Sequence, residues 1–261
     1  MKLYYHKSSS ASLRVTIYLN YRQVPESIVE LVSTGLRIDE RGIPKYTMPK
    51  NDPETINLGS DELSKFNPEG RVPILLLSDG KKMTQSGAII EYIEDRLLNA
   101  DRSLKPIMPQ DPWERAEVKR IMYIIAADVQ PYQNIPFLVQ AMGEWGMIKT
   151  PPLQHPLRMH FIRREFGALE NILALTSGTF CVGNSMTYAD CFLVPQVRNA
   201  LASDKKLLKE FPQIEKVWNN MLAESSVYDT LINSGGIIQP IIIDEEQIKK
   251  YTSLNRLIDG G

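Results

Sequence analysis

The chain has 261 residues, enough for one large domain or two smaller ones. Its 43% apolar content can build a core, and its net charge of -1, without a strong basic run, argues against a nucleic-acid or anionic-membrane partner. The opening MKLYYHKSSS lacks a long apolar run and GIIQPIII (236–243) is far too short to span a bilayer, so neither a secretory leader nor a membrane segment is expected.

In chain order, KLYY reads as a strand, and SLRVTIYLNYR (12–22) as a helix with Leu13, Ile17 and Tyr21 on one face. ESIVELV (26–32) reads as a second strand. Residues 33–62 are polar and rich in Pro and Gly. They read as a long loop without evident structure of its own, a length that points to function or mobility. VPILLL (72–77) and KKMT (81–84) flank Ser78-Asp79-Gly80, a hairpin turn. GAIIEYIEDRLL (87–98) carries Ile89, Ile90, Ile93 and Leu97 at helical spacing. A small α/β domain over 1–104 follows from this order.

Residues 105–111 read as a linker, and the chain from 112 to 261 as all-helical with an unassigned tail from about 235. Asp111 can cap a helix that starts at Pro112 and runs through WERAEVKRIMYIIAADV until Pro131 stops it. Further helices are expected at 156–175, 187–201 and 211–223. Before the third, Thr187 is a natural N-cap, Asp190 can return a hydrogen bond to it, and Met186 can pack on Cys191.

Cys181 and Cys191 have no CxxC spacing and no neighbouring His. They are expected as buried free thiols of a cytoplasmic protein. His6, His155 and His160 form no metal-binding helical pair, so no metal is expected.

The stretch KSSSASLRV (7–15) is unusual. Between a strand and a helix a plain turn would use Gly, Asn or Pro, yet this loop offers hydroxyls and free N–H groups at a helix start. With RVPILL (71–76), QSGAIIEYIED (85–95), MPQDP (108–112), VQPYQN (129–134) and FCVGNSMTYADCFLVPQV (180–197) in order, the sequence resembles the glutathione transferase superfamily. It is most similar to the zeta class, whose best-known activity is maleylacetoacetate isomerisation. The resemblance covers roughly residues 1–225. It implies an α+β fold, a thioredoxin-like domain followed by an all-α bundle, and agrees with the order of elements read above.

The resemblance also implies a glutathione site. Ser9, Ser10, Ala11, Ser12, Leu13 and Arg14 fall on the zeta serine motif, with Ser9 donating to the thiolate and Ser10 supporting the sulfur. A free cysteine thiol ionises near 8.5, so a donor and a helix N-terminus are what its thiolate needs. Val72 and Pro73 would pair with the cysteinyl backbone across a cis bond. Gln85 and Ser86 would hold the γ-glutamyl end, and Gln130 and Asn134 would approach from the helical half. A small electrophilic substrate and a homodimer are implied likewise. The activity implied is cis-trans isomerisation of a conjugated enedione; conjugation or dehalogenation of an electrophile, or ligand carriage without catalysis, are the other readings.

Two positions depart from the zeta pattern. Ala11 replaces a cysteine, and Ala202 stands where an arginine is thought to hold a substrate carboxylate. Arg198, one helical turn before Ala202, and Lys7 and Arg14, which flank the serine loop, are the substitute cations considered for an acceptor carboxylate.

Overall fold

A computed structural model describes residues 1–39, 44–134, 137–138 and 156–237. The first half is built on a four-stranded sheet in the order β2-β1-β5-β6, from β1 (Lys2–Tyr5), β2 (Glu30–Ser33), β5 (Ile74–Leu76) and β6 (Lys82–Thr84). β1 runs parallel to β2 and antiparallel to β5, and β5 is antiparallel to β6. The parallel pair needs a crossover, which is α1 (Ser10–Tyr21); α4 (Ser86–Ala100) follows β6. This is the thioredoxin-like arrangement expected of the first half.

The second strand begins later than its apolar run suggests. Residues 25–28 form a turn in which the Pro25 carbonyl accepts the N–H groups of Ile28 (2.9 Å) and Val29 (3.2 Å), and only Glu30–Ser33 pair with β1. The segment 33–62 is not structureless either. It contains an antiparallel pair, β3 (Gly35–Ile38) and β4 (Pro44–Thr47), then α2 (Pro53–Leu58), with α3 (Leu63–Phe66) directly after. Its charged, exposed residues hide the strand period. Gly35 faces Thr47 across the pair, where a Cβ would stand 2.4 Å from the threonine Oγ1. The pair is docked through Met48, whose N–H donates to the Asp61 carbonyl (2.8 Å) and whose side chain is buried with Tyr4, Leu63, Phe66, Val72 and Ile74.

Between the halves, Glu94 fixes the connecting segment. Buried at 2% exposure, it accepts from Tyr18 Oη (2.8 Å), Arg22 Nε (2.9 Å) and the Ile107 N–H (2.8 Å). Four donors on one carboxylate, counting Arg22 Nη2, satisfy its charge without water.

From Pro112 onward the described residues are helical. Asp111 Oδ1 accepts the Glu114 N–H (2.9 Å) and starts α5 (Pro112–Tyr123). Pro131 does not end this helix. A π-helical turn over Ile124–Val129 intervenes, in which the Gln130 N–H reaches back five residues to Ile125, and α6 (Gln130–Gln133) continues past the proline. The wider turn takes up the register change that the ring and the missing N–H impose. α7 (Pro156–Thr176), α8 (Tyr188–Leu201), α9 (Pro212–Ala223) and α10 (Ser225–Asn233) complete the bundle. α10 was not expected; the tail from 238 lies outside the described residues.

α8 is buried along its whole length and packs on α1. Its start is as expected: Asp190 Oδ2 accepts from Thr187 N–H (2.8 Å) and Oγ1 (2.9 Å), and Oδ1 accepts the Cys181 N–H (2.8 Å). Met186 and Cys191 lie in the same core, and both cysteines are free and buried. Burial pushes both thiols up, so neither is a ready nucleophile.

Candidate active site

The serine loop uses each hydroxyl differently. Ser9 is the N-cap of α1, and its Oγ accepts the Ser12 N–H at 3.3 Å. Ser8 Oγ lies 2.6 Å from His6 Nδ1, which also accepts the Ser8 N–H (3.3 Å). Ser12 Oγ accepts the His6 N–H (3.3 Å), and the Ser9 N–H donates to the His6 carbonyl (2.9 Å). Ser10 opens the helix, where its Oγ accepts from Gln130 Nε2 at 3.4 Å. The loop is thus folded around His6, with Ser9 and Ser10 at the positive end of a twelve-residue helix. Burial, and then the charge of Lys7, hold His6 below its ordinary pKa of 6.5, so the ring is neutral and accepts.

Arg14 lies one turn further along α1, at 2% exposure. Nη1 donates to Ser86 Oγ (3.4 Å), Nη2 to Gln196 Oε1 (3.4 Å), and the guanidinium sits 4.2 Å from the Phe192 ring centroid. Gln196 Nε2 in turn donates to Gln133 Oε1 (2.8 Å). α1, α4, α6 and α8 are therefore joined by one polar chain. Desolvation lowers the Arg14 pKa to about 9, which leaves it cationic at neutral pH, and its buried Nε has no partner among the described residues. Arg14 supports Ser86 from inside the molecule; it does not line the loop mouth as an acceptor cation.

Ser86 is buried at the first position of α4, and Gln85 is its N-cap. Gln85 has φ +70°, a region that non-glycine residues rarely occupy. Its Nε2 donates to Glu69 Oε2 (3.1 Å), and Thr84 Oγ1 donates to Glu69 Oε1 (2.9 Å). The Val72–Pro73 bond is cis. Among the described residues nothing hydrogen-bonds the N–H or C=O of Val72, so this main-chain edge is open to an added strand. Ala11 is partly buried on α1. Asn134 caps the end of α6 and bonds to none of the other candidates.

Arg198 is engaged elsewhere. Its Nε donates to the Gly236 carbonyl (2.9 Å) and Nη2 to the Ser234 carbonyl (2.9 Å), at 0% exposure. The fork clamps the end of α10 to α8, so the acceptor role considered for it is withdrawn.

Three residues of the site were missed from sequence. Gln196 and Gln133 could have been flagged as amides inside apolar helices. Tyr46, whose ring lies 5.4 Å from that of His6, could not, because its strand was invisible. Among the described residues no cluster of His, Cys, Asp or Glu could hold a metal ion, and no helix is long and apolar enough to cross a membrane.

Comparison with known proteins agrees with this geometry. The family model for the glutathione S-transferase N-terminal domain matches residues 8–96, and that for the C-terminal domain matches 149–229. Maleylacetoacetate isomerase of Mus musculus is 34% identical over 221 residues, covering 85% of this chain and 87% of that protein. A structure described as holo maleyl pyruvate isomerase, a bacterial zeta-class glutathione S-transferase, superimposes with TM-score 0.67 at 25% identity, covering 88% of this chain and 96% of that one. Maleylacetoacetate isomerase of Anaeromyxobacter dehalogenans with bound glutathione superimposes with TM-score 0.64 at 25% identity, covering 88% and 93%.

Proposed function

Since this chain belongs to the glutathione S-transferase family, beside the maleylacetoacetate isomerases, we propose that it is a glutathione-dependent isomerase of conjugated cis-enediones. When bound, glutathione supplies the thiolate that adds to the double bond, allows it to rotate and departs, so it acts as a cofactor. The carrying observation is the serine-capped start of α1, tied to the second half through Ser10–Gln130 and to Ser86 through Arg14.

The residues present fit the tripeptide. Ser9 can donate one hydroxyl proton, and the α1 N-terminus favours a negative charge beside it. Val72 offers a free backbone N–H and C=O, and Ser86 offers a helix start for a carboxylate. Gln85 and Glu69 form a polar pair at that end, where Glu69 can accept from an ammonium group. Gln130 approaches the serine loop from α6, with Asn134 three residues beyond its neighbour Pro131. Pro73 shapes the open edge, and Ala11 leaves Ser9 without a second sulfur beside it.

A second reading is conjugation or dehalogenation of an electrophile. One observation favours it: Ala202 offers no cation and Arg198 is bound to carbonyls, so neither position presents a free fork to a substrate carboxylate. Ser9 and the tripeptide site serve both reactions. We read the lobe boundary in 105–111, a reading supported by the Ile107 N–H held on Glu94. A cytoplasmic homodimer is the reading carried by the family resemblance; exposed Trp113 (70%) and Tyr123 (66%) on α5 support its dimer part, as apolar surface that a second copy would cover.

Product analysis with glutathione and a panel of cis-enediones and halo-acids tests the reading. Regenerated glutathione with a trans product is expected. Glutathione consumed with every acceptor would select the second reading, and calorimetry without binding at millimolar glutathione would remove both.

A further inference from the structure

We propose that His6 is a positioning residue of the thiol site: by accepting the N–H and the hydroxyl of Ser8 at Nδ1, it fixes the turn that brings Ser9 and Ser10 to the start of α1. This rests on the glutathione-dependent reading above.

A hydroxyl that is to meet a sulfur must arrive in one place. A short run of serines has little side chain to pack, so hydrogen bonds have to set its conformation. Here those bonds converge on one residue. The His6 carbonyl accepts the Ser9 N–H (2.9 Å) and closes a turn, while the His6 N–H donates to Ser12 Oγ (3.3 Å) in the first turn of α1. Nδ1 meets Ser8 twice, at the hydroxyl (2.6 Å) and at the N–H (3.3 Å). Ser9 Oγ then accepts the Ser12 N–H (3.3 Å) as the N-cap. The two main-chain bonds are open to any residue at position 6. Only the pair at Nδ1 belongs to histidine.

The direction of that pair follows from valence. A ring nitrogen that accepts a backbone N–H carries no proton, so the ring proton sits on Nε2 and the Ser8 hydroxyl donates to Nδ1. The ring is also kept from turning. It faces Tyr46 at 5.4 Å with a 52° tilt. Tyr46 pairs with Leu36 across the hairpin and packs on the buried cluster that includes Met48, Phe66 and Val72. The segment that sequence leaves as a bare loop therefore buttresses the imidazole. Ser8 lies outside the six positions that fall on the zeta motif, and its bond to His6 gives it a task within the same loop. Contacts of this supporting kind hold a donor close enough to its target to favour a thiolate.

The test is the ionisation of glutathione on the protein, followed by ultraviolet thiolate absorbance. His6→Phe keeps a ring against Tyr46 and removes the acceptor. His6→Gln carries its amide oxygen one bond too far along the side chain, and His6→Asn carries it where Nδ1 stands. The bound thiol's ionisation constant should fall about three- to tenfold in His6→Phe and His6→Gln, and stay within about twofold of wild type in His6→Asn. Affinity for γ-glutamyl-alanyl-glycine, which has no sulfur, should change less than about twofold in all three, and this also confirms folding. An unmoved ionisation constant in both His6→Phe and His6→Gln, an equal fall in His6→Asn, or an equal loss of affinity for the sulfur-free tripeptide would each overturn the proposal. A wild-type protein that binds no glutathione would remove the functional reading and this inference with it; binding with a thiol indifferent to position 6 removes the inference alone.

Discussion

Arg14 and Gln196 stand 182 positions apart in the chain and meet at 3.4 Å, guanidinium to amide, in the interior between the two halves. Among the described residues this buried cation has no carboxylate partner; it donates to two neutral oxygens and lies on an aromatic face. Such a group is costly to bury, and cation–π and hydrogen-bond contacts offset only part of that cost. It holds Ser86 at the start of α4 in return. Arg14→Met should destabilise the protein by about 2–4 kcal/mol, because Ser86 and Gln196 then lose a donor in a dry site. It should also raise the KM for glutathione. A double-mutant cycle with Gln196→Leu should return a coupling of about 0.5–3 kcal/mol, measured by urea denaturation; additive effects would show the pair to be incidental.

Ser9→Ala removes the N-cap hydroxyl of α1. The pKa of bound glutathione should rise by about 1–2 units, the worth of a hydrogen bond to a charged group. Turnover should fall about 100-fold. The thiolate titration reads the first effect directly, and an unmoved curve would assign Ser9 to capping alone.

Arg198→Met separates structure from recognition. The side chain bonds the carbonyls of Ser234 and Gly236, so its loss should cost about 2–4 kcal/mol in a urea titration. The KM for a diacid acceptor should stay unchanged. A selective rise in that KM, with stability intact, would return Arg198 to the acceptor site.

Asp190→Ala leaves three donors unpaired at 0% exposure: the N–H groups of Cys181 and Thr187 and the Thr187 hydroxyl. A loss of about 3–5 kcal/mol is expected, enough to unfold many domains of this size. A urea midpoint near wild type would mean that water replaces the carboxylate.

His6 gives the protein a pH dependence with a definite sign. Its folded pKa lies below 6.5, lowered by burial and by Lys7. The unfolded chain therefore binds the proton more readily, so the His6 contribution is complete above 6.5 and declines as pH falls through 6.5 toward the lowered value. The melting temperature of wild type should drop across that window more than that of His6→Gln. Parallel curves would show that the ring titrates alike in both states.

Much of the plan was legible in local pattern. The Ile89, Ile90, Ile93 stripe, the Asp111–Pro112 start and the Thr187–Asp190 box each concern residues within a few positions of one another, and local geometry decides them. The serine loop was legible for the same reason: an N-cap needs only its own helix. Pro131 misled because its effect depends on whether the preceding turn can widen, and here it does. The β3–β4 pair was lost because a two-stranded ribbon with charged faces shows no alternation; it is held by Met48 in a cluster assembled from Tyr4, Phe66 and Val72.

From residue order alone came the strands and helices, their capped starts, the family resemblance and the hydroxyls set before α1, since each is a matter of neighbours along the chain. Only the folded molecule decided that Arg14 faces inward to Ser86 and Gln196, that Arg198 clamps the end of α10, and that the Tyr46 ring rests against His6. Long side chains reach whichever partners packing brings near, and those partners lie tens to hundreds of positions away, where no short-range pattern records them.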